Sequence, residues 1–397
     1  MKRVAIVVQR CHETLVGGSE ALAWQYATLL AAEYAVDLLT TTASDYVKWT
    51  NDLPEGIERR DNIVIRRFRV VRERGRYFHA LHRRLLDQFS ANQKAGTPCL
   101  RWPEALQEEF IHAQGPVSPG LVEHLAKCGN DYAAVIFVTY LYPPTYDGTR
   151  AMPHRRWALV PTLHDEPPAY LNAFAHMARR APRLLWNTPA EQRIGKQLWN
   201  VDGGSIVSMA VATARVMAAR EADPYLLFSG RIDSSKGCAM LIDAFEAYKR
   251  AHPSDLRLLL TGSDNLGVRK SRNVRYLGFV DEERKLALMA GALAFVHPSP
   301  YESLSIVALE AMAQGTPLIV NGDCEVLADH VAASGSGYVF RGEPQLHAAI
   351  EAARGLTPEE RERKGACARA YVVANYSHAQ IRARLVAEVE ALINSTA

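Results

Sequence analysis

Glu302 and Glu310 bracket the segment Tyr301-Glu302-Ser303-Leu304-Ser305-Ile306-Val307-Ala308-Leu309-Glu310, whose apolar part reads as the opening of a helix. A helix N-terminus offers unpaired N–H groups and the positive end of a dipole, which suits a phosphate. Glu310, about two turns into that helix, can accept hydrogen bonds from a sugar diol such as a ribose. Glu302, just before the helix, then lies near whatever the phosphate carries. Those are the contacts a nucleotide-sugar requires. The spacing by itself equally describes one acid in a loop and another on a helix surface, so its neighbours must decide.

Gly230-Arg231-Ile232-Asp233-Ser234-Ser235-Lys236-Gly237 follows the apolar run Tyr225–Ser229. A strand ends there in a tight glycine turn that carries two cations and leads into a helix. Arginine offers a planar fork of donors and lysine a point charge, and both suit a diphosphate. The plainer alternative is a loop with solvated cations. It loses ground because this loop and the Glu302 loop should share one face of a sheet.

That convergence follows from the elements. In the second half, Tyr225–Ser229, Leu256–Thr261, Val274–Leu277, Leu293–His297 and Pro317–Val320 are strand candidates, most of them separated by amphipathic helical segments. Alternation of this kind predicts a parallel sheet with right-handed crossovers. Ligands bind such sheets at the carboxyl ends of the strands. The residues expected on that rim are Gly230-Arg231, Gly262-Ser263-Asp264, Gly278-Phe279, His297-Pro298-Ser299 and Asn321-Gly322-Asp323.

The order Gly-Arg-Ile-Asp-x-x-Lys-Gly, Leu-Gly-Phe-Val, then Pro-Ser-x-x-Glu-x7-Glu-Ala-Met-Ala-x-Gly-x-Pro resembles the carboxyl half of a family 4 retaining glycosyltransferase. The resemblance covers roughly residues 222–376 and is thinner before them. It implies an α/β protein of GT-B architecture, with two Rossmann-like parallel domains facing across a cleft. Donor binding would fall to Arg231, Lys236, Leu304, Ser305 and Glu310. Arg231 and Lys236 would neutralise the leaving diphosphate, the backbone at Leu304 and Ser305 would bind its phosphates, and Glu310 would hold the ribose. Glu302 would steady positive charge growing at the donor sugar. Attack would come from the front face, with the leaving phosphate helping to take the acceptor proton. That scheme needs no metal and no cofactor beyond the nucleotide-sugar substrate. One departure stands out: the family usually carries Glu-Gly-Phe-Gly where this chain has Glu302-Ser303-Leu304-Ser305. Loss of both glycines raises the cost of any positive φ there.

The amino half reads as a second parallel α/β domain, with strands expected at Val4–Gln9, Val36–Thr41, Ile63–Val70, Ala134–Thr139, Trp157–Thr162 and Leu184–Trp186. After the first comes His12-Glu13-Thr14-Leu15-Val16-Gly17-Gly18-Ser19-Glu20, leading into an amphipathic helix to about Glu33. A Gly17-Gly18 pair at a strand-to-helix turn permits close backbone approach to a ligand, and is equally a plain tight turn. The resemblance implies that it faces the diphosphate and acceptor. No complete Gly-x-Gly-x-x-Gly is present, so a nicotinamide dinucleotide site is unsupported. His164-Asp165-Glu166 follows the strand at 157–162. The resemblance makes His164 a contact of the donor sugar, with Asp165 either orienting the imidazole or meeting the acceptor.

A length of 397 residues suggests about two domains. The expected division is an amino domain over 1–203, a linker over 204–223, a donor domain over 224–376, and a last helix within 377–397 that rejoins the amino domain. With 48% apolar and 22% charged residues, the composition is that of a globular protein. No run of about 18 apolar residues predicts a membrane span, and the amino terminus is too short in apolar residues for a signal peptide. Cys11, Cys99, Cys128, Cys238, Cys324 and Cys367 show no metal-ligand spacing. Reduced thiols in a cytoplasmic protein are the simple expectation.

Net charge is only +3, yet ten arginines fall between Arg59 and Arg84, interleaved with Tyr77 and Phe78. Two readings stand side by side. One is peripheral contact with an anionic membrane or a pyrophosphate-linked acceptor; the other is a solvated basic face. No nucleic-acid-reading motif accompanies the charge. The combined expectation is a hexosyltransferase acting on a glycan or lipid-linked glycan, with bacterial surface polysaccharide as the family's commonest use. Competing readings are a nucleotide-sugar epimerase, a sugar phosphorylase, or a non-catalytic nucleotide-sugar-binding subunit.

Overall fold

The computed structural model describes residues 1–12, 17–96, 100–269 and 271–395. They form two compact units, Met1–Met209 with Arg382–Ala397, and Ala210–Ile381. Cys99 and Glu13–Val16 of the first glycine loop lie outside the described residues.

Among the described residues the first unit contains β1 (Arg3–Val7), β2 (Ala35–Thr41), β3 (Gly56–Arg60), β4 (Ile63–Phe68), β5 (Ala134–Val138), β6 (Trp157–Val160), β7 (Arg183–Trp186) and β8 (Ser205–Ile206). Their order is β3-β4-β2-β1-β5-β6-β7-β8. Only β3 with β4 is antiparallel. The central strands are continuous apolar runs because helices cover both faces; Val4 to Val7 and Ala134 to Val138 are fully buried. β3 escaped the sequence reading because Gly-Ile-Glu-Arg-Arg is a polar edge strand, with Glu58 paired to Arg60 and to Arg67. Among the described residues from 76 to 128 the chain forms helices Arg76–Lys94, Glu104–Gln114 and Pro119–Cys128.

The second unit contains β9 (Tyr225–Ser229), β10 (Arg257–Thr261), β11 (Val274–Tyr276), β12 (Ala294–His297), β13 (Leu318–Asn321) and β14 (Gly337–Phe340). All pair in parallel in the order β11-β10-β9-β12-β13-β14. The chain winds outward from β9 to β11, then returns to the other side of β9 with β12. The reversal leaves a crevice at the carboxyl ends of β9 and β12, the place where open α/β sheets bind ligands. The cation loop follows β9 and the Glu302 loop follows β12, so topology alone puts them side by side.

Ser205–Ile206, within the stretch read as linker, pairs with β7. The chain from 210 to 220 then runs without helix or strand but is pinned. The side chain of Gln314 accepts from the Val216 N–H at 3.0 Å and donates to the Ala214 carbonyl at 3.0 Å. Helix Pro358–Tyr376 begins with a full capping box, Thr357 with Glu360, and a proline in its first turn. The last helix is His378–Asn394, and its residues from Arg382 on belong to the first unit. No helix among the described residues is long and apolar enough to cross a membrane.

Candidate functional site

The cation loop is built on close backbone contacts. A Cβ on Gly262 (φ +121°) would stand 2.0 Å from the Gly230 carbonyl oxygen, so the ends of β9 and β10 approach this closely only because residue 262 is glycine. Asp233 then closes the turn Ser234–Lys236: its Oδ1 accepts from the Lys236 N–H at 3.0 Å and from the Ser235 hydroxyl at 2.6 Å. Burial pushes the Asp233 carboxyl up, but these hydrogen bonds and the Arg231 and Lys236 charges together hold it below its usual range. Arg231 Nε lies 3.7 Å from Asp233 Oδ2, with its side chain about half exposed. Gly237 (φ +73°) ends the turn, and a Cβ there would stand 2.6 Å from the Pro298 carbonyl oxygen. The cation loop and the Glu302 loop are therefore in backbone contact.

Across that contact, Lys236 Nζ donates to Glu302 Oε1 at 2.6 Å. His297, the last residue of β12, brings Nε2 to 3.3 Å of the same oxygen. Burial pushes the His297 imidazole down to about 4, although the Glu302 charge pulls it up. A neutral ring facing a carboxylate carries its proton on Nε2, since a lone pair there would be repelled. His297 Nδ1 is buried and has no partner among the described residues. The contacts of Glu302 thus include one cation and one neutral donor.

Beyond Glu302, helix Ile306–Ala313 starts at Ser305, which adopts φ +63°, ψ +74°. The left-handed region costs a residue with a Cβ roughly 1–2 kcal/mol. The glycine that the resemblance leads one to expect would take this conformation freely; here a serine holds it. Ser305 Oγ is buried without a partner among the described residues, so it adds no compensation.

Glu310 sits on this helix, but its carboxylate is engaged. Lys285, from helix Glu282–Gly291, brings Nζ to 2.8 Å of Glu310 Oε2. Burial pushes the Glu310 carboxyl up against the opposing pull of Lys285. A diol at Glu310 would share it with Lys285. The second unit therefore brings Arg231, Lys236, Glu302, Leu304 and Ser305 to the end of the β9–β12 crevice, with Glu310 behind them on the same helix.

Gly17, Gly18 and His164 lie in the first unit. A Cβ on Gly17 would stand 2.1 Å from Glu20 Oε2, whereas Gly18 has open space. Glu20 is buried, 2.6 Å from Arg10 Nε, and accepts from Gln9 at 3.2 Å. The anion at this helix start is the protein's own. His164 is partly exposed, and the carboxylate near its Nδ1 is Glu166 at 3.8 Å. Asp165 instead accepts from Tyr170 at 2.7 Å. The turn is anchored by Glu191, which accepts the N–H groups of Leu163 at 2.6 Å and Asn187 at 2.5 Å. Burial pushes the Glu191 carboxyl up to about 8, with those backbone donors opposing it.

Much of the arginine-rich stretch is spent on the fold. Arg66 pairs with Asp37, Arg67 with Glu58 and Arg72 with Glu109, while Arg74 lies over Trp49 and Phe78. Arg59, Arg69, Arg76 and Arg83 are exposed, as is Tyr77. Among the cysteines, Cys11, Cys128, Cys238, Cys324 and Cys367 are unpaired, and burial pushes Cys238 and Cys324 up to about 11, far from nucleophilic use.

Lys285 and the supports of the His164 turn were absent from the site inferred from sequence, and His297 was placed on the rim without a role. His297 carried a signal, a histidine at a strand end beside the Glu302 motif. Lys285 and Glu191 sit on helices with nothing local to mark them.

Residues 213–370 match the family model described as glycosyl transferases group 1. The chain is similar to an uncharacterised glycosyltransferase of Methanocaldococcus jannaschii, 32% identical over 153 residues, 34% of this chain and 38% of that protein. It is similar to a phosphatidyl-myo-inositol mannosyltransferase of Propionibacterium freudenreichii, 31% identical over 169 residues, 41% of this chain and 42% of that one. The matches thus span less than half the length of these relatives. Among solved structures, sucrose-phosphate synthase of Thermosynechococcus elongatus aligns over 100% of both chains with a TM-score of 0.70 and 18% identity, a likeness of fold. The chain has the GT-B fold, and its residues 213–370 are a group 1 glycosyltransferase domain.

Proposed function

We propose that this protein is a retaining glycosyltransferase that moves a hexose from a nucleoside-diphosphate sugar to a hydroxyl of a glycan or lipid-linked glycan. The observation that carries the reading is the Lys236–Glu302 contact of 2.6 Å at the β9–β12 crevice. It sets a cation for the departing diphosphate beside a carboxylate for the sugar that the diphosphate leaves. Preorganised charges aimed at charge that develops in the transition state lower a barrier more than any other single term. Arg231 adds a second cation, and the N–H groups heading helix Ile306–Ala313 receive the phosphate oxygens. Glu310, with Lys285, binds the ribose. The charge compensation comes from side chains, so the reaction proceeds without a metal. His164, Gly17 and Gly18 keep, within the proposal, the roles that the resemblance assigns them.

One relative is named a phosphatidyl-myo-inositol mannosyltransferase, which makes mannose the first sugar and a lipid-linked hydroxyl the first acceptor to assay. Exposed Arg59, Arg69, Arg76 and Arg83 with Tyr77 support contact with an anionic membrane surface or acceptor. The test is product analysis by NMR with a panel of nucleoside-diphosphate sugars, with and without EDTA. Transfer with retained anomeric configuration, unchanged by EDTA, is the expected result. An inverted product, phosphate-dependent release of sugar phosphate, or epimerisation without acceptor would each replace the reading.

A further inference from the structure

Ser305 holds a left-handed conformation without glycine and without a partner for its hydroxyl. Something else must fix the peptide that precedes it. His330, on helix Glu325–Ser334, is 1% exposed and places Nε2 2.8 Å from the Leu304 carbonyl oxygen. Its Nδ1 lies 2.9 Å from the Tyr371 hydroxyl, and Tyr371 meets the Tyr376 hydroxyl at 3.1 Å. A carbonyl only accepts, so Nε2 carries the proton and donates to Leu304. Nδ1 then accepts from Tyr371, and Tyr371 accepts from Tyr376. The direction of every hydrogen bond in this buried chain is set by the Leu304 carbonyl at its end.

In a trans peptide the carbonyl and the following N–H point in opposite directions. With the Leu304 oxygen drawn toward His330, the Ser305 N–H points the other way, away from the His330 ring. Helix Ile306–Ala313 begins at this peptide, so its orientation also sets the aim of the helix's first N–H groups. We propose that His330, oriented by Tyr371, is a positioning residue that locks the Leu304–Ser305 peptide so that its N–H and the helix start face the diphosphate. This rests on the phosphate-site reading above. It replaces, by a side chain from a distant helix, the conformational freedom that a glycine at 305 would have supplied.

The experiment measures binding of UDP, GDP, ADP and TDP to the full chain by calorimetry, and of the matching nucleosides by ligand-observed NMR. It compares the wild type with His330→Phe, His330→Gln and Tyr371→Phe. His330→Phe should weaken the diphosphate that the wild type binds by about 10-fold or more, the scale of one lost charge-assisted contact, while the nucleoside moves by less than about 2-fold. His330→Gln, whose amide can donate to the same carbonyl, should recover most of the loss. Tyr371→Phe should fall between, and it decides the matter in the same way if His330→Phe does not fold. Diphosphate affinity unchanged in the variants, or an equal loss for diphosphate and nucleoside, would overturn the proposal while leaving the phosphate site standing. A wild type that binds none of the four would overturn the phosphate-site reading itself, and this inference with it.

Discussion

Lys236 and Glu302, 66 residues apart in the chain, meet at 2.6 Å because β9 and β12 are neighbours at the reversal of the second sheet. In this structure the two opposite charges of the pair face each other directly. A diphosphate bound as proposed would draw Lys236 from Glu302, whose Oε1 also faces His297 Nε2 at 3.3 Å.

Replacing the carboxylate should therefore separate binding from chemistry. In Glu302→Gln, Lys236 loses the carboxylate it contacts at 2.6 Å, so a nucleoside diphosphate should bind as well as in the wild type or better. Turnover should fall by roughly 10²–10³, the usual effect of removing one transition-state electrostatic contact. Steady-state kinetics beside calorimetry checks this. Parallel loss of binding and turnover would mean that Glu302 holds the loop rather than the reaction.

Glu310 makes a sharper test of the ribose assignment because Lys285 already occupies it. The wild type should prefer a ribonucleoside diphosphate to its 2′-deoxy form, and Glu310→Gln should erase most of that preference. Lys285→Ala should destabilise the fold by about 3 kcal/mol or more, since it leaves a buried carboxylate without its cation. Calorimetry and thermal melts read the two effects apart.

His297 gives the second unit an acid-sensitive element. Its imidazole is held near 4 in the fold against an ordinary 6.5, chiefly by burial. Above 6.5 neither the folded nor the unfolded chain binds this proton, and the contribution is complete. As pH falls from about 6.5 to about 4, the unfolded chain takes up a proton that the fold refuses. Stability then declines by on the order of 3 kcal/mol. Buried His330 is shifted in the same direction. Denaturant melts at pH 7.5 and 5 should show the decline, and His297→Gln should flatten it. Equal pH dependence in that variant would remove His297 as the cause.

The sheets were legible because their strands are uninterrupted apolar runs such as Val4–Val7 and Leu258–Leu260, fully or almost fully buried. β3 was not, because an edge strand facing solvent looks like a polar loop, and two-residue β8 is too short to carry a pattern. In the candidate site, Arg231, Lys236 and Glu302 were legible because they ride on glycine-marked loops at strand ends. Lys285, His330 and Glu191 were not: each meets a loop or helix of its own unit from a helix with no local motif to mark it. Asp165 shows the limit at close range, since backbone geometry, not adjacency, made Glu166 the carboxylate near His164.

Gly237 reports on the loop contact itself. A methyl group there meets both a positive φ and the Pro298 carbonyl oxygen at 2.6 Å. Gly237→Ala should destabilise the protein by roughly 2 kcal/mol or more, lowering the melting temperature by about 4 °C or more. It should also weaken diphosphate binding, because the two loops are pushed apart. A melting temperature equal to that of the wild type would contradict the packing described.

The most direct measurement is calorimetric titration of the wild type and Lys236→Ala with UDP, GDP, ADP and TDP. The account predicts saturable binding of at least one by the wild type, weakened about 10-fold or more in Lys236→Ala with the melting temperature of the unliganded protein little changed. Binding of equal strength in both proteins, or of none of the four by the wild type, would contradict a diphosphate site at the β9–β12 crevice.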